Sequence, residues 1–317
     1  MKIYAVIVTF NRKKLLAECI SSIINQNYLP DKIIIVDNNS TDGTYEFIKD
    51  YLKDNDNLRY IKLHKNLGGA GGFYYGMNLA YNDGADWIWI MDDDTIPDPS
   101  ALEELVKSVK IVGKKASYLA SNVYGMDKEP MNVPQIKMHY HQNGYINNFE
   151  FLQHSLVEID TATFVSLLIN SRAIAEYGLP HKDFFIWGDD TEYTARIVKH
   201  FGKAYLVGKS LVLHKRINST SLSFPNENNK MRIAMMKYSY RNTLVYYKYY
   251  GTKKQIYKFE LNMIKDIVKI ILQKKHKIKK ISQIIIAYYE FVFGKYNKKG
   301  FKNRFTNTKK VSDYIEL

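Results

Sequence analysis

The chain has 317 residues, a single cysteine and a net charge of +14. This length allows a large buried core, one cysteine excludes an intramolecular disulfide framework, and no apolar stretch approaches the roughly 20 residues that span a bilayer. The charge is uneven: residues 1–229 hold 24 Lys and Arg against 27 Asp and Glu, whereas residues 230–317 hold 22 against 5. We therefore expect a slightly acidic part and a strongly basic part with different functions.

Strand and helix patterns alternate along the first ninety residues. The predicted strands are short continuous apolar runs, and the predicted helices carry apolar residues three and four positions apart. In chain order they are strand 3–8, helix 13–25, strand 32–36, helix 44–53, strand 58–63, helix 73–81 and strand 87–91. Unalternating strands between helices predict a parallel sheet covered on both faces, which is an α/β fold. Cys19 lies among apolar residues of the first helix and is expected in the core.

The rest of the chain gives weaker patterns. Residues 120–165 suggest short strands or loops, interpreted as an insertion over the sheet edge. A helix is expected over 194–200, and strands over 203–207 and 211–213. From about Met231 the pattern is helical, with tyrosines interleaved among basic residues. The N-terminus begins a strand at once, with no signal-peptide pattern, so we expect a cytosolic, reduced protein.

Three consecutive carboxylates, Asp92, Asp93 and Asp94, follow the apolar run 87–91. Three charges at a strand end repel one another and are costly to desolvate unless a cation compensates them. A divalent metal bound through oxygen ligands is the favoured interpretation, at the sheet edge where α/β proteins bind ligands. The alternative is a solvated acidic turn or a helix N-terminus capped by Asp98 or Ser100.

Two other predicted strands end at the same edge. Asp37 ends the second strand, where an acidic residue commonly accepts hydrogen bonds from a ribose or base. An Asx-turn that opens the following loop is an equal alternative for Asp37. The first strand brings Thr9, Phe10 and Arg12 to this edge. Arg12 suits a phosphate, although an isolated arginine is more often solvated.

A glycine-rich turn, residues 66–72, leads into a helix. Close backbone approach and exposed N–H groups there suit an anionic or sugar ligand. It is not a Walker A loop, because no Gly-Lys-Ser/Thr follows, and it does not follow the first strand as a dinucleotide fingerprint does. A flexible lid or a tight helix entry is the alternative.

A second aromatic run, residues 184–187, precedes the acidic pair Asp189 and Asp190. Carboxylates beside aromatic rings can have raised pKa values and can act as general bases, and Trp187 offers a flat face for a sugar. Alternatively, Trp187 belongs to the core and the pair stabilises a helix N-terminus. His214 ends a short strand and is a plausible third metal ligand beside the aspartates, although lone histidines are more often structural.

Together these motifs resemble family 2 glycosyltransferases of the GT-A fold. They occur in the family's order over roughly residues 1–250, at 9–12, 36–44, 66–72, 91–94 and 187–193. Within the family the chain is most similar to galactofuranosyl- and rhamnosyltransferases of bacterial surface-polysaccharide assembly, in its glycine-rich segment and in Tyr240-Arg241-Asn242. One difference is Gly188, which separates Trp187 from the acids that follow Trp directly in galactofuranosyltransferases.

The resemblance implies a Rossmann-like, mostly parallel sheet with helices on both faces. Its nucleotide-sugar half would span about 1–100 and its acceptor half about 101–229, followed by a basic, Tyr-rich helical region over 230–317. Asp190 would be the catalytic base, and Asp37 would read the nucleoside. Asp92 and Asp94 would flank the metal and diphosphate, with His214 completing the metal site. The other implied binding residues are Thr9, Phe10, Arg12, Asn66, Gly69, Asp92 and Asp93 for the nucleotide sugar, and Trp187 and Asp189 for the acceptor or its orientation.

The implied activity is an inverting transfer of a sugar, with galactofuranose or rhamnose favoured, from a UDP or dTDP donor. The acceptor would be a hydroxyl of a growing, lipid-linked bacterial surface glycan, and the cofactor Mn²⁺ or Mg²⁺. A nucleotidyltransferase is one alternative, but it requires a basic glycine-rich loop after the first strand, where residues 9–12 hold no glycine. A nucleic-acid-binding protein is another, but the acidic part would repel phosphates without a metal, so we expect no nucleic acid partner.

The basic part predicts a membrane contact. Residues 261–272 form an amphipathic pattern, followed by five lysines over 274–280 and an apolar run over 281–289. Such a helix beside anionic lipid gains apolar burial and roughly 1 kcal/mol per nearby lysine. We therefore expect a protein that is peripheral on the inner face of the cell membrane. Packing on the catalytic domain, or homo-oligomerisation through the Tyr-rich face, remains the alternative.

Overall fold

The computed structural model describes residues 1–145, 151–216, 223–297 and 314–316. The strands are β1 (Ile3–Thr9), β2 (Lys32–Asp37), β3 (Leu58–Leu63), β4 (Trp87–Asp92), β5 (Thr95–Pro97), β6 (Tyr118–Tyr124), β7 (Gln135–Ile136), β8 (Leu156–Thr161), β9 (Leu167–Asn170), β10 (Ala204–His214) and β11 (Tyr314–Glu316). The helices are α1 (Lys13–Ile24), α2 (Thr44–Asp54), α3 (Gly68–Asn82), α4 (Ala101–Val112), α5 (Ser171–Tyr177), α6 (Asp189–His200), α7 (Lys230–Tyr250), α8 (Lys253–Leu272) and α9 (Lys277–Phe293).

The strands form one mixed sheet in the order β11-β3-β2-β1-β4-β9-β6-β10-β8-β7, and β5 pairs with β10. Strands β3, β2, β1 and β4 are parallel to one another, and β6 is parallel to β10. Strand β9 runs antiparallel between β4 and β6. The predicted β-α series over the first ninety residues is therefore confirmed.

Both faces of this sheet are covered, as the unalternating strands require. In β1, Tyr4, Val6 and Val8 pack in one cluster with residues of α3, α5 and α6. Their neighbours Ile3, Ala5 and Ile7 pack in a second cluster with residues of α1, α2 and α4. Because successive side chains of a strand point to opposite faces, a fully apolar strand supplies both cores. Cys19 is buried in the second cluster, as predicted.

The middle of the chain differs from the expected insertion over the sheet edge. Strand β6, which extends to Tyr124, lies inside the sheet beside β9, and of residues 120–165 only β7 and β8 belong to the edge of the sheet. Polar residues interrupt the apolar pattern of β6: the Ser121 hydroxyl lies 2.7 Å from that of Ser166 and 2.8 Å from that of Ser210. The indole of Trp89 donates to Ser166 at 2.9 Å. Buried serines that bond to one another let a polar sequence run through a core.

Two predicted boundaries were also wrong. The strands expected over 203–207 and 211–213 are one strand, β10, with a register shift between Val207 and Leu211. Helix α6 begins at Asp189 rather than at 194, so the acidic pair forms its first turn.

Helices α7, α8 and α9 pack around a core of their own, which includes Met236, Leu244, Met263 and Ile284. A capping box between Thr252 and Gln255 begins α8. The expected helical pattern is thus confirmed as far as residue 293, and the basic stretch 298–313 lies outside the described residues. In the part of the chain that the structure describes, no helix combines the length and the apolar character needed to cross a membrane.

Candidate active site

The parallel strands bring three polar ends to one edge of the sheet. In the register of β1 with its neighbours, Thr9 pairs with Asp37 on β2 and Val8 pairs with Asp92 on β4. The antiparallel pair of β5 and β10 adds His214, which lies opposite Thr95. The sheet thus places at one edge groups that are far apart in the sequence.

The three consecutive aspartates have different surroundings. Asp93 is buried, and it accepts hydrogen bonds from the Thr9 hydroxyl at 2.7 Å and from Arg12 at 3.2 Å. Asp94 is also buried; Arg12 donates to its Oδ2 at 2.8 Å, and its Oδ1 lies 3.1 Å from His214 Nε2. Burial and these contacts do not fit a solvated acidic turn. The triplet also precedes β5 rather than a helix, and Ser100 at the start of α4 makes no side-chain cap.

Asp92, Asp94 and His214 form a candidate metal centre. Each offers a ligand atom, and these atoms all lie within 4.8 Å of one another. Burial, with repulsion from Asp94 and Asp93, raises the pKa of Asp92 well above its usual range, and a bound cation would relieve this cost. Nδ1 of His214 lies 2.8 Å from the amide oxygen of Asn132, a contact that fixes the ring. Two carboxylates and one oriented imidazole are a donor set that suits a divalent ion.

The candidate metal centre opens into a cavity of about 620 Å³. The acidic pair that begins α6 lines the same cavity. The structure therefore brings eight of the predicted site residues together: Arg12, Gly69, Asp92, Asp94, Trp187, Asp189, Asp190 and His214. The cavity is further lined by Arg216 and by Arg232 and Met235 of α7, which the sequence analysis did not single out.

Other predicted site residues lie beside this cavity rather than in its lining. The Thr9 hydroxyl donates to Asp93, which lies between the metal-centre residues Asp92 and Asp94 in the sequence. Asp37 is buried and accepts hydrogen bonds from the Ser40 N–H at 2.7 Å and from the Tyr60 hydroxyl, so it orders the loop after β2. The side chain of Phe10 is exposed. The roles of Phe10 and Asp37 in nucleotide binding stay predictions.

The glycine-rich turn is mainly a tight helix entry. A Cβ on Gly72 would lie 2.4 Å from a methyl group of Val8, and one on Gly76 would lie 2.3 Å from a methyl group of Val6. These glycines let α3 pack directly on β1. Gly69 is different, because a Cβ there would meet no atom within 4 Å.

Asn66 belongs to the same turn. Its side chain accepts a hydrogen bond from the Gly68 N–H at 2.7 Å and so shapes the start of α3. A part in nucleotide-sugar binding stays a prediction for Asn66 and for Gly69.

The acidic pair begins α6 after the left-handed residue Gly188 (φ 91°). Asp190 is half-buried, and its Oδ1 accepts from the N–H of Thr191 at 2.6 Å and from its hydroxyl at 3.2 Å. Burial, with repulsion from Asp190, raises the pKa of Asp189 well above its usual range. Burial also raises the pKa of Asp190, and the Thr191 hydrogen bonds offset part of this. The charge of Asp189 in turn contributes to the raised pKa of Asp92, so the acidic pair and the metal centre interact.

Further along α6, a buried ion pair supports the site. The guanidinium of Arg196 donates to both carboxylate oxygens of Glu192, at 3.1 and 2.9 Å, and to the carbonyls of Tyr177 and Leu179. The sequence carried a signal for this pair, since Glu and Arg four residues apart face each other on a helix. The contact of Asn132 with His214 had no such signal.

Comparison with known proteins settles the family. A model described as "Glycosyl transferase family 2" matches residues 4–171, more than half of the chain. The chain belongs to glycosyl transferase family 2. Family membership favours a sugar transferase over the nucleotidyltransferase and nucleic-acid-binding alternatives.

Curated relatives and a solved structure agree with this family. The chain is 40% identical over 103 residues to galactofuranosyltransferase GlfT1 of Mycolicibacterium smegmatis, and this match covers 32% of this chain and 33% of that protein. It is 30% identical over 202 residues to GlfT1 of Mycobacterium tuberculosis, covering 62% and 64%. The matches thus span less than two thirds of these relatives. S. aureus TarS in complex with UDP shares the fold at a TM-score of 0.53 and 14% identity, over 95% of this chain and 74% of that one. This likeness confirms the expected GT-A fold.

Proposed function

We propose that this family 2 member is an inverting, metal-dependent glycosyltransferase. It transfers a sugar from a nucleoside-diphosphate donor, UDP or dTDP, to a hydroxyl of a glycan. The observation that carries the proposal is one cavity of about 620 Å³ lined both by the candidate metal centre and by a carboxylate pair. Diphosphate departure and hydroxyl activation require these two groups within reach of one sugar.

On the donor side, Asp92, Asp94 and His214 would hold Mn²⁺ or Mg²⁺. The ion, when bound, neutralises the negative charge on the departing diphosphate. Arg12 lies 2.8 Å from Asp94 and its side chain is 51% exposed, so its guanidinium can also meet a phosphate oxygen. Asp93, buried between Thr9 and Arg12, keeps Arg12 in place.

On the acceptor side, Asp190 would act as the base. It accepts the proton of the acceptor hydroxyl, whose oxygen forms a bond to the anomeric carbon while the bond from that carbon to the diphosphate oxygen breaks. Attack from the opposite face inverts the anomeric configuration, and no covalent nucleophile is needed. The raised pKa of Asp190 brings its basicity closer to that of an efficient base at neutral pH. Trp187 lines the cavity and offers its ring to a sugar.

Galactofuranose is the donor sugar that we favour, with rhamnose second. Its support is the similarity to the galactofuranosyltransferase GlfT1 of two organisms. A UDP donor is favoured over dTDP, since the fold is shared with TarS in complex with UDP.

A donor screen tests the proposal. Thermal unfolding is followed with UDP-galactofuranose, dTDP-rhamnose, UDP-galactose, UDP-glucose and UDP-N-acetylglucosamine, each with and without MnCl₂. A donor at a hundred times its Kd stabilises the native state by about 2.7 kcal/mol, which raises Tm by several degrees. We expect this rise for UDP-galactofuranose, and only with Mn²⁺. If none of the five donors raises Tm in an Mn²⁺-dependent way, the proposal is overturned.

We also propose that the C-terminal helices bind an anionic membrane surface, where a lipid-linked acceptor would be presented. Helices α8 and α9 expose many large apolar side chains, among them Ile264, Val268, Ile271, Leu272, Ile278, Ile285, Tyr289 and Phe293. Residues 230–317 carry 22 Lys and Arg against 5 Asp and Glu. Exposed apolar groups beside excess positive charge suit a bilayer of anionic lipid.

Vesicle co-sedimentation of the full chain tests this surface. We expect binding to vesicles that contain phosphatidylglycerol, loss of binding in high salt, and weakening by Ile264→Glu or Val268→Glu. Phe47→Glu is the matched control, because Phe47 is also an exposed large apolar residue, on α2 and away from the C-terminal helices in the sequence. Equal binding by the α8 variants and the wild type would contradict the proposal. If the wild type forms dimers without vesicles and the α8 variants are monomeric, the surface is instead a homo-oligomer interface.

A further inference from the structure

The loop that precedes the acidic pair has an unusual backbone. Phe185 and Trp187 have φ angles of 65° and 61°, and Gly188 has 91°. Non-glycine residues adopt this left-handed region at a cost of about 1–3 kcal/mol each and persist there only when the surroundings hold them. Contacts with the surrounding structure must therefore hold this loop, residues 183–188, in its conformation.

Asn242 of α7 supplies three of these contacts. Its side chain is buried, and its amide nitrogen lies 3.0 Å from the carbonyl oxygen of Phe184, 3.2 Å from that of Ile186 and 2.7 Å from that of Trp187. A single NH₂ group within hydrogen-bond distance of three carbonyl oxygens of a strained loop fixes the path of that loop. Asn242 also packs tightly against Gly188, since a Cβ on Gly188 would lie 3.1 Å from the Cβ of Asn242.

Arg241 fixes the orientation of this amide. Its Nε and Nη2 atoms donate to the side-chain oxygen of Asn242 at 3.0 and 2.9 Å, so the NH₂ group must face the loop. Nη2 of Arg241 also donates to the carbonyl of Asp183 at 3.0 Å. Glu290 of α9 accepts from Nη1 of Arg241 at 2.7 Å. A chain of contacts thus runs from α9 through α7 to the loop.

The same loop contacts the donor side of the site. The Ala70 N–H donates to the carbonyl of Phe185 at 3.1 Å. A Cβ on Gly68 would lie 2.0 Å from that oxygen, so the glycine permits this contact. The loop therefore joins the start of α3, which carries Gly69, to Trp187 and the acidic pair.

We propose that Asn242, oriented by Arg241 and Glu290, is a positioning residue for the transfer reaction. By holding loop 183–188 it sets where Trp187, Asp189 and Asp190 stand in the cavity. The C-terminal helices are then part of the active site in addition to any membrane surface they form. This inference rests on the proposed function for its kinetic part.

The test combines two variants with a matched control. Asn242→Asp keeps the side-chain volume but loses both N–H donors, and Glu290→Gln loses only the charge that fixes Arg241. Tyr240→Phe is the control, because Tyr240 is also buried on α7 but donates at 2.9 Å to Asp266 of α8 and not to the loop. The measurements are kcat, the KM for the donor, Tm, and acrylamide quenching of Trp187 fluorescence, with Trp187→Phe used to subtract the signals of Trp87 and Trp89.

We expect Asn242→Asp to lower kcat by about 10- to 100-fold, as a displaced catalytic group does, while the donor KM changes by no more than about threefold. Quenching of Trp187 should increase, and Glu290→Gln should show both effects more weakly. Tyr240→Phe should lower Tm without changing kcat or quenching. Wild-type kcat and quenching in folded Asn242→Asp and Glu290→Gln would overturn the inference, as would an equal loss of kcat in Tyr240→Phe. If Asn242→Asp does not fold, Glu290→Gln decides.

The quenching measurement separates this inference from the proposed function. A wild-type protein that transfers no sugar would overturn the proposed function alone. Unchanged quenching of Trp187 in the loop variants would overturn the positioning role whatever the reaction is.

Discussion

Replacing Asp190 with Asn should abolish most turnover while leaving the donor bound. The substitution keeps the side-chain volume, and the retained oxygen can still accept from the Thr191 N–H, as Oδ1 of Asp190 does at 2.6 Å. The start of α6 should therefore keep its geometry and lose only its proton acceptor. A lost general base costs about 10²–10⁴-fold in kcat, which corresponds to about 2.7–5.4 kcal/mol in the barrier. Donor affinity should stay near that of the wild type, because the diphosphate contacts of the metal centre are unchanged.

Asp189→Asn is the matched comparison for Asp190→Asn. Asp189 is more deeply buried than Asp190, and its charge helps to raise the pKa of Asp92. Neutralising it should leave the base in place and cost much less turnover. The assay is the initial rate of nucleoside diphosphate release in the presence of acceptor, with donor affinity measured by calorimetry. Small and equal losses of kcat in both variants, with modest drops in Tm, would show that the pair only stabilises the helix.

The pH dependence gives a further test of the same assignment. Burial raises the pKa of Asp190, and a base must be ionised to accept a proton, so kcat should fall on the acid side at a pH above the ordinary Asp value of about 3.9. The Thr191 hydroxyl donates to Asp190 at 3.2 Å and lowers the pKa of Asp190. Thr191→Val removes this hydroxyl, so the pKa of Asp190 should rise. The acid limb should therefore move to higher pH in Thr191→Val. A limb that stays in place, or moves to lower pH, would refute the reasoning.

Two further predictions concern the glycine-rich turn and the ion pair of α6. Gly72→Ala, whose Cβ would lie 2.4 Å from a methyl of Val8, should destabilise the fold by about 1–3 kcal/mol in chemical denaturation, whereas Gly69→Ala, which meets open space, should not, and should instead weaken donor binding. Equal stability losses at the two positions would contradict this. Arg196→Met should cost about 3–5 kcal/mol because it leaves the buried carboxylate of Glu192 without its guanidinium partner, and adding Glu192→Gln should recover part of that loss. A double variant less stable than Arg196→Met would contradict it.

Much of the fold over the first hundred residues was predictable from the sequence. Its strands are short apolar runs and its helices are amphipathic, and Asp37 and Asp92 follow from where parallel strands end. The grouping of Asp92, Asp94 and His214 was also predicted, from strand ends and from the family resemblance, and the structure brings the three together.

What the sequence did not show depends on contacts between distant segments. Ser121 of β6 bonds to Ser166 and Ser210 inside the sheet, so the polar residues of β6 did not indicate a core strand. The sequence left the glycine-rich turn open between a ligand loop and a tight helix entry, because Val6 and Val8, the neighbours that decide for Gly76 and Gly72, lie on another element. Arg241 and Asn242 were noted only as a resemblance, because their partners are backbone carbonyls that no side-chain pattern reveals.

The central claim is that a divalent ion held by Asp94 and its neighbours binds the nucleotide of the donor. Calorimetric titration of UDP and dTDP, with and without Mn²⁺, into the wild type and Asp94→Asn tests it most directly. Mn²⁺ should tighten binding of one nucleotide to the wild type by at least about tenfold, or 1.4 kcal/mol. Binding to Asp94→Asn should be weak and independent of Mn²⁺, since a charged ligand is lost at similar side-chain volume. The same Mn²⁺ enhancement in Asp94→Asn, or no enhancement in the wild type, would contradict the claim.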